Sequence, residues 1–562
     1  MQNCWSRKDY IMPCGDNKLE KESDIFLFLS MIHANLLLIL ALFFAMALLY
    51  LLSQRWKISY PIFLVIGGLG ISFIPGIPAI SIDPDIVFLI FLPPLLFEAA
   101  WYTSWNEFWK WKRSILLLGF GLVLITSMAI AYFSVSIIPG FTLALGFLLG
   151  GIISPPDAVA ATSVLKGVNM PKRGLTMLEG ESLVNDAASL TVFRFALASI
   201  LTGQFVFQKA ATDFVVLAVM GVFVGLVIAH ILYLVLRYWA KSSSITTPIT
   251  LIAPYLMYIV AEEFHWSGVL AVVSGGLFLS FRSNDFLNYH TRIQTKEVWA
   301  TVGFLLNGFV FILIGLELPV IVAALDGYSI KEAVHYGLII SGIVIVARII
   351  LVYVVTFLPR LLSPKIRASE KSPGLKLPFI IGWAGMRGVV SLASALAIPL
   401  TLDNGEAFPH RNLILFITFI VILVTLVFQG LTLPIFLRLL KVEETDDHVP
   451  FDLQKEAIRL QLAKESVTFL NNKYHQEMKE YETIARIKEQ LERSINATEQ
   501  TLTEQRQQVA SVRKLYGKIM LDLITMRRTE LNKLRATKQY DDEVIRDLES
   551  SLDLEEARLY KQ

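Results

Sequence analysis

The chain is 562 residues long, 54% hydrophobic and only 17% charged. Soluble domains carry about 25% charge, so the composition excludes an ordinary water-soluble enzyme and points to a membrane protein. Its 50 Lys and Arg nearly balance 48 Asp and Glu, giving a formal net charge of +2. No basic excess marks a nucleic-acid partner.

Residues 1–24 read as a polar leader holding both cysteines, Cys4 and Cys14, which supply neither a zinc set nor a disulfide framework. The apolar run at 25–53 is too long for the core of a signal peptide and reads as a retained spanning helix. Segments able to cross about 30 Å of hydrocarbon follow at 61–79, 85–103, 114–137, 141–165, 174–202, 212–236, 246–263, 267–281, 298–325, 332–358, 377–400 and 411–439. The expected fold is therefore all-α, a polytopic membrane domain of about thirteen helices over 25–441. Alternate loops carry the basic residues, among them Arg55, Lys57, Lys110, Arg113, Arg173, Arg237, Arg292, Arg360 and Arg367. About eighteen fall on that side against Lys209, Lys331 and Arg411 on the other, which puts the amino terminus outside and the carboxyl terminus in the cytoplasm.

Beyond the last span the pattern changes. Residues 442–562 are charged, with apolar residues at helical spacing such as Leu453, Ile458, Leu460, Leu462 and later Ile519 and Ile524. This predicts a cytoplasmic helical tail, coiled-coil-like, with no phosphate loop and no Cys/His ligand set. A solvated extension that assists dimerisation and a sensor of pH or of a bound protein are both open to it.

Two spans are broken internally. The fifth contains Gly150-Gly151-Ile152-Ile153-Ser154-Pro155-Pro156-Asp157, and the twelfth Gly382-Trp383-Ala384-Gly385-Met386-Arg387-Gly388. Such breaks survive at membrane depth only where protein or a watery cavity satisfies the freed backbone. An odd offset of seven spans makes the two helices antiparallel, as inverted repeats require, and brings unwound backbone and half-helix dipoles to a midplane site suited to an ion.

Ionisable residues inside spans are functional candidates by default. They are Glu98, Asp157, Glu179, Glu181 and Asp186, with Arg194, Arg348 and Arg387. On a helix, Ser182 and Asp186 share a face at i, i+4, and Asn185 lies beside them. Hydroxyl, carboxylate and amide oxygens suit a hard cation, and a dehydrated carboxylate can hold either a cation or a proton, so exchange of one for the other is the natural reading. A static pair of Asp186 with Arg194 is the alternative. Glu181 faces elsewhere and is expected to pair with Arg387, tying the sixth and twelfth spans together; Glu179 is expected to be solvated near the cytoplasmic mouth. No histidine accompanies Ser182, which argues against an intramembrane hydrolase and for a transporter that is not an enzyme.

These residues carry a resemblance. Ser-Pro-Pro-Asp-Ala-Val-Ala from Ser154, Glu-Gly-Glu-Ser-Leu-Val-Asn-Asp-Ala-Ala from Glu179, Leu-Pro-Pro-Leu-Leu-Phe-Glu ending at Glu98 and Gly-Met-Arg-Gly from Gly385 to Gly388 resemble the sodium/proton exchangers of the cation:proton antiporter superfamily, of the bacterial type. The likeness spans roughly 30–440. It implies a plasma-membrane homodimer, a role in pH homeostasis, no cofactor, and a core that moves in an elevator-like step against a fixed dimerisation domain. It also implies that Asp186 binds Na+, Li+ or a proton with Ser182, Asp157, the carbonyl of Pro156 and nearby Glu98. The Asn185-Asp186 pair resembles the electroneutral branch, and Arg348 stands where electrogenic relatives tend to carry a titratable lysine. Pro156 before Asp157 departs from the pattern of many members, which leaves the placement of its carbonyl open. The competing expectations are a K+/H+ antiporter on the same fold and, from another class, a sodium-coupled organic anion transporter.

Overall fold

In hydrocarbon every backbone N–H and C=O must be satisfied within the chain, so long apolar sequence resolves into helices. The computed structural model describes residues 17–56, 58–74, 87–165, 170–203, 207–240, 242–325, 327–402, 404–442, 451–503, 506–537 and 542–560. Cys4, Cys14, Lys57 and positions 75–79 and 85–86 of two expected spans lie outside the described residues. The protein is all-helical; among the described residues the only extended pairing is an isolated antiparallel bridge between Thr401 and Ala407. It divides into two compact units, Met1–Asp446 and Asp447–Gln562.

In the first unit the helices are, in order, α1 (Asn17–Trp56), α2 (Tyr60–Ser72), α3 (Leu92–Tyr102), α4 (Trp105–Leu116), α5 (Val123–Ile137), α6 (Leu143–Ile153), α7 (Ala158–Leu165), α8 (Lys172–Thr202), α9 (Phe207–Tyr238) and α10 (Ser243–Glu263). There follow α11 (Gly268–Phe286), α12 (Tyr289–Leu316), α13 (Leu318–Ala323), α14 (Ile330–Leu362), α15 (Pro364–Ser369), α16 (Lys376–Trp383), α17 (Val389–Leu396), α18 (Arg411–Leu423) and α19 (Gly430–Leu440). Wide π-type turns lead into α3 and join α4 to α5 and α18 to α19. Nine stretches among the described residues are long and apolar enough to cross a bilayer. Among their described residues the expected segments at 61–79, 85–103, 267–281 and 377–400 also hold helices, but these are short, end in polar residues or are broken.

Local chemistry sets the helix ends. Thr142 Oγ1 accepts from Leu145 N at 3.3 Å to open α6, and Ser329 and Glu332 bond reciprocally to each other's backbone to open α14. Packing then sorts the helices into two bundles. One gathers α1, α2, α3 and α9 to α12, with α12 along α2, α9 along α11, and α11 against α3. The other gathers α4 to α8 and α14 to α19, with α6 between α5 and α8, and α14 against α16 and α18. Burial differs between spans: 72% of the apolar stretch in Arg411–Leu440 is buried against 17% in Leu36–Trp56, so the last span is enclosed by its neighbours and the first lies on the outside of the unit.

The second unit is built from α20 (Phe451–Lys473), α21 (His475–Glu480), α22 (Glu482–Thr503), α23 (Arg506–Thr537) and α24 (Asp542–Tyr560). Helix α20 packs on α22, and α23 packs on α24 around Ile524, Ile545 and Leu552. Arg528 bridges Asp553 and Glu556 at 2.5 Å each, across that second hairpin.

Candidate functional site

Helix α6 makes its last regular bond from Ser154 N to Gly150 O at 3.0 Å. Pro155 and Pro156 then present no N–H, and the chain opens. Asp157 restarts the helix, its Oδ1 accepting from Val159 N at 2.8 Å and Ala160 N at 3.3 Å. The second break runs from Ala384, bonded back to Ile380 O at 2.8 Å, to Gly388 at the start of α17. The two opened segments are joined where they cross, Asp157 N donating to Met386 O at 2.7 Å. Gly388 permits this approach: a Cβ there would collide with the Asp157 carboxylate.

Four half-helix ends meet at this crossing, and each pair of like ends holds one opposite charge. The C-terminal ends of α6 and α16 are negative; the Arg387 guanidinium donates to Ile153 O at 3.0 Å and Ser154 O at 3.4 Å from the first and to Gly385 O beyond the second. The N-terminal ends of α7 and α17 are positive, and the Asp157 carboxylate lies between them, one oxygen capping α7 and the other beside Gly388. Arg387 N also donates to Thr425 Oγ1 at 3.1 Å, which anchors the second break to the last span.

Arg387 therefore does not serve Glu181. The expected Glu181–Arg387 pair is replaced by a bidentate pair with Arg348 of α14, Nη1 to Oε1 at 2.7 Å and Nη2 to Oε2 at 3.0 Å. Both side chains are wholly buried. The physical reason is that the guanidinium of Arg387 is already engaged by helix-end carbonyls, whereas Arg348 reaches Glu181 across the α8–α14 gap and adds a 3.4 Å bond to Ile381 O of α16. The pair ties α8, α14 and α16. Arg194 is likewise engaged elsewhere, with Glu262 of α10 at 2.7 Å, so it does not form the static pair with Asp186.

The remaining polar groups lie on α8. Asn185 Nδ2 donates to Pro156 O at 2.9 Å, binding α8 to the first break. Its Oδ1 is buried with no donor among the described residues. Asp186, one residue on, is 7% exposed. Among the described residues no side-chain or backbone donor reaches the Asp186 carboxylate; only its backbone carbonyl accepts, from Ser189 Oγ at 3.0 Å. Ser182, one turn earlier, faces a cavity of about 840 Å³ whose lining also includes Ala158, Val159, Glu98, Glu179 and Asn307. Glu98 projects from α3 against Gly303 of α12, where a Cβ would strike its carboxylate. The cavity thus runs from the bundle carrying α3 and α12 to the start of α7 and the Ser182 face of α8.

Reasoning from the residues alone did not single out Thr425, the Met386 carbonyl, Asn307 or the cavity tyrosines Tyr50, Tyr60 and Tyr102. Asn307 had a signal, an amide inside an apolar span, and its Nδ2 donates to Gly303 O at 2.8 Å. A backbone carbonyl such as that of Met386 has none.

Comparison with known proteins places this geometry among relatives. The family described as sodium/hydrogen exchanger, transmembrane, matches residues 39–439. A sodium, potassium, lithium and rubidium/H(+) antiporter of Bacillus pumilus is 33% identical over 411 residues, which are 71% of this chain; the match spans 60% of the relative's length. An uncharacterized Na(+)/H(+) exchanger of Mycobacterium tuberculosis is 30% identical over 539 residues, covering 93% of this chain and 96% of the relative. Among solved structures, the sodium proton antiporter MjNhaP1 from Methanocaldococcus jannaschii at pH 8 aligns with a TM-score of 0.54 and 21% identity, covering 72% of this chain and 99% of that one.

Proposed function

Since the chain belongs to the transmembrane sodium/hydrogen exchanger family, we propose that it is a secondary antiporter that trades Na+, and also Li+, for protons across the plasma membrane. The observation that carries the reading is the contrast between two neighbouring carboxylates. Asp157 is held between two positive helix ends and two backbone donors. Asp186 is buried beside it and receives no donor among the described residues. A buried carboxylate left without protein donors must be neutralised from outside the chain, by a cation or by a proton. The two compete for one charge, and that competition is the coupling of exchange. The cation is substrate here, and no cofactor enters the step.

Ser182, the carbonyl of Pro156, Asp157 and Glu98 supply the remaining oxygen donors, while Asn185 holds the Pro156 carbonyl in place. Because Asn185 stands where a second carboxylate would add charge, one cation exchanges for one proton and the cycle is electroneutral. Alternating access follows an elevator-like shift of the α4–α8 and α14–α19 bundle against the α1–α3 and α9–α12 bundle, the latter pairing with its copy in a homodimer. The amino terminus lies outside and the tail in the cytoplasm.

A second reading extends the substrate to K+, because the Bacillus pumilus relative is named for potassium and rubidium as well as sodium and lithium. Everted vesicles loaded with a pH-sensitive dye decide between them. Na+ and Li+ should each collapse an acid-inside gradient, and an equal response to K+ at the same concentration establishes the broader reading. No response to any of the three would refute exchange. A rate unchanged when the membrane potential is clamped or imposed supports electroneutrality.

A further inference from the structure

Away from the crossing helices, a second cavity of about 380 Å³ opens between the turn joining α3 to α4 and the neighbouring ends of α11 and α12. Its walls are amphipathic. Trp105, Tyr102, Leu277 and Phe281 provide the apolar side, Arg292 and Lys296 the cationic side, and no carboxylate is among the described lining residues. The Lys296 ammonium forms no ion pair or hydrogen bond with a described residue, and Arg292 spends one nitrogen on Leu287 O at 3.1 Å, leaving further N–H groups for a ligand. The rings of Trp105 and Phe281, both in the lining, pack against each other with centroids 5.9 Å apart. Trp105 continues outward into a stack with Trp109 at 5.6 Å, and Lys112 places its ammonium 3.9 Å from the Trp109 ring.

We propose that this cleft binds the phosphate headgroup of an anionic membrane phospholipid. Two unneutralised cations above an aromatic and aliphatic wall match a ligand with a phosphate at one end and acyl chains at the other. Indole rings stacked outward beside lysines are what the headgroup level of a bilayer favours. Charge complementarity alone would admit a soluble phosphate; the apolar wall and the exposed tryptophans favour a lipid. The position has a consequence for movement. Trp105 begins α4 in one bundle, whereas Phe281, Arg292 and Lys296 belong to α11 and α12 in the other. A lipid seated there contacts both bundles and holds them in this arrangement. That consequence rests on the proposed exchange cycle; the binding itself does not.

The test is therefore a binding measurement on the full-length protein in a neutral detergent. Thermal unfolding is followed with added phosphatidylglycerol, phosphatidylcholine or glycerol 1-phosphate. Phosphatidylglycerol should raise the melting temperature of the wild type by several degrees more than phosphatidylcholine does. Arg292→Gln/Lys296→Gln, which also gives up the bond to Leu287 O, should lose most of that added shift when read against its own melting temperature without lipid. Lys296→Gln alone, which removes an ammonium with no bond to a described residue, serves the same purpose if the double variant is unstable. A full shift retained in the variants would overturn the site, and an equal shift from glycerol 1-phosphate would overturn the lipid as its occupant.

Discussion

The sharpest structural prediction concerns the Glu181–Arg348 pair. Both side chains are 0% exposed and joined by two bonds of 2.7 and 3.0 Å. Arg348→Ala leaves the Glu181 charge buried without its partner, and breaking a pair of this kind costs about 3–5 kcal/mol. Replacing both residues by apolar ones of similar volume, Glu181→Leu with Arg348→Met, removes the unpaired charge and should recover most of that loss. Unfolding by SDS titration in mixed micelles, followed by tryptophan fluorescence, reads the difference. The informative comparison uses Arg387. Arg387→Ala also destabilises, because it strands the Ile153 and Ser154 carbonyls, but adding Glu181→Leu should not rescue it. If Glu181→Leu rescues Arg387→Ala and fails to rescue Arg348→Ala, the pairing described above is wrong.

Two further substitutions probe the crossing. Gly388→Ala pushes a methyl group onto the Asp157 carboxylate and breaks its cap on α7, worth about 1 kcal/mol. The apparent Na+ affinity in everted vesicles should therefore fall much more than the unfolding midpoint, and an unchanged affinity would contradict the account of Gly388. Asn185→Asp places a second carboxylate beside Asp186 and removes the 2.9 Å bond to Pro156 O. Stability should drop by more than the ~1 kcal/mol of one lost hydrogen bond, because the new carboxylate is buried without a donor, and exchange should begin to respond to an imposed membrane potential; indifference to the potential would show that this position does not set the charge carried.

The fold was largely legible because its determinants are local. Apolar length predicts spans, and Pro155-Pro156 and the Gly385-to-Gly388 run place the two breaks where the structure opens. The i, i+4 spacing of Ser182 and Asp186 survives because α8 is one uninterrupted helix. Partner choice between helices was not legible. The sequence pointed to Arg387 as the partner of Glu181, with Arg194 as the alternative for Asp186, whereas the packing of the helices selects Arg348 for Glu181. The role of Arg387 was hidden for a related reason: its partners are backbone carbonyls at helix ends, which carry no residue identity. The 380 Å³ cleft escaped notice as well, since Trp105, Phe281 and Lys296 come together only through the packing of α4, α11 and α12.

The central claim is that the Asp186 carboxylate carries the exchanged charge. Purified protein in liposomes holding an internal pH dye tests it most directly, with Na+ added outside and Asp186→Asn compared with the wild type at matched, folded reconstitution. Because Na+ entering must export protons, the account predicts a Na+-evoked internal alkalinisation that is present in the wild type and absent in Asp186→Asn from pH 6 to 9, the isosteric amide keeping the fold while removing the charge. A Na+-evoked pH change of wild-type size in Asp186→Asn would contradict it.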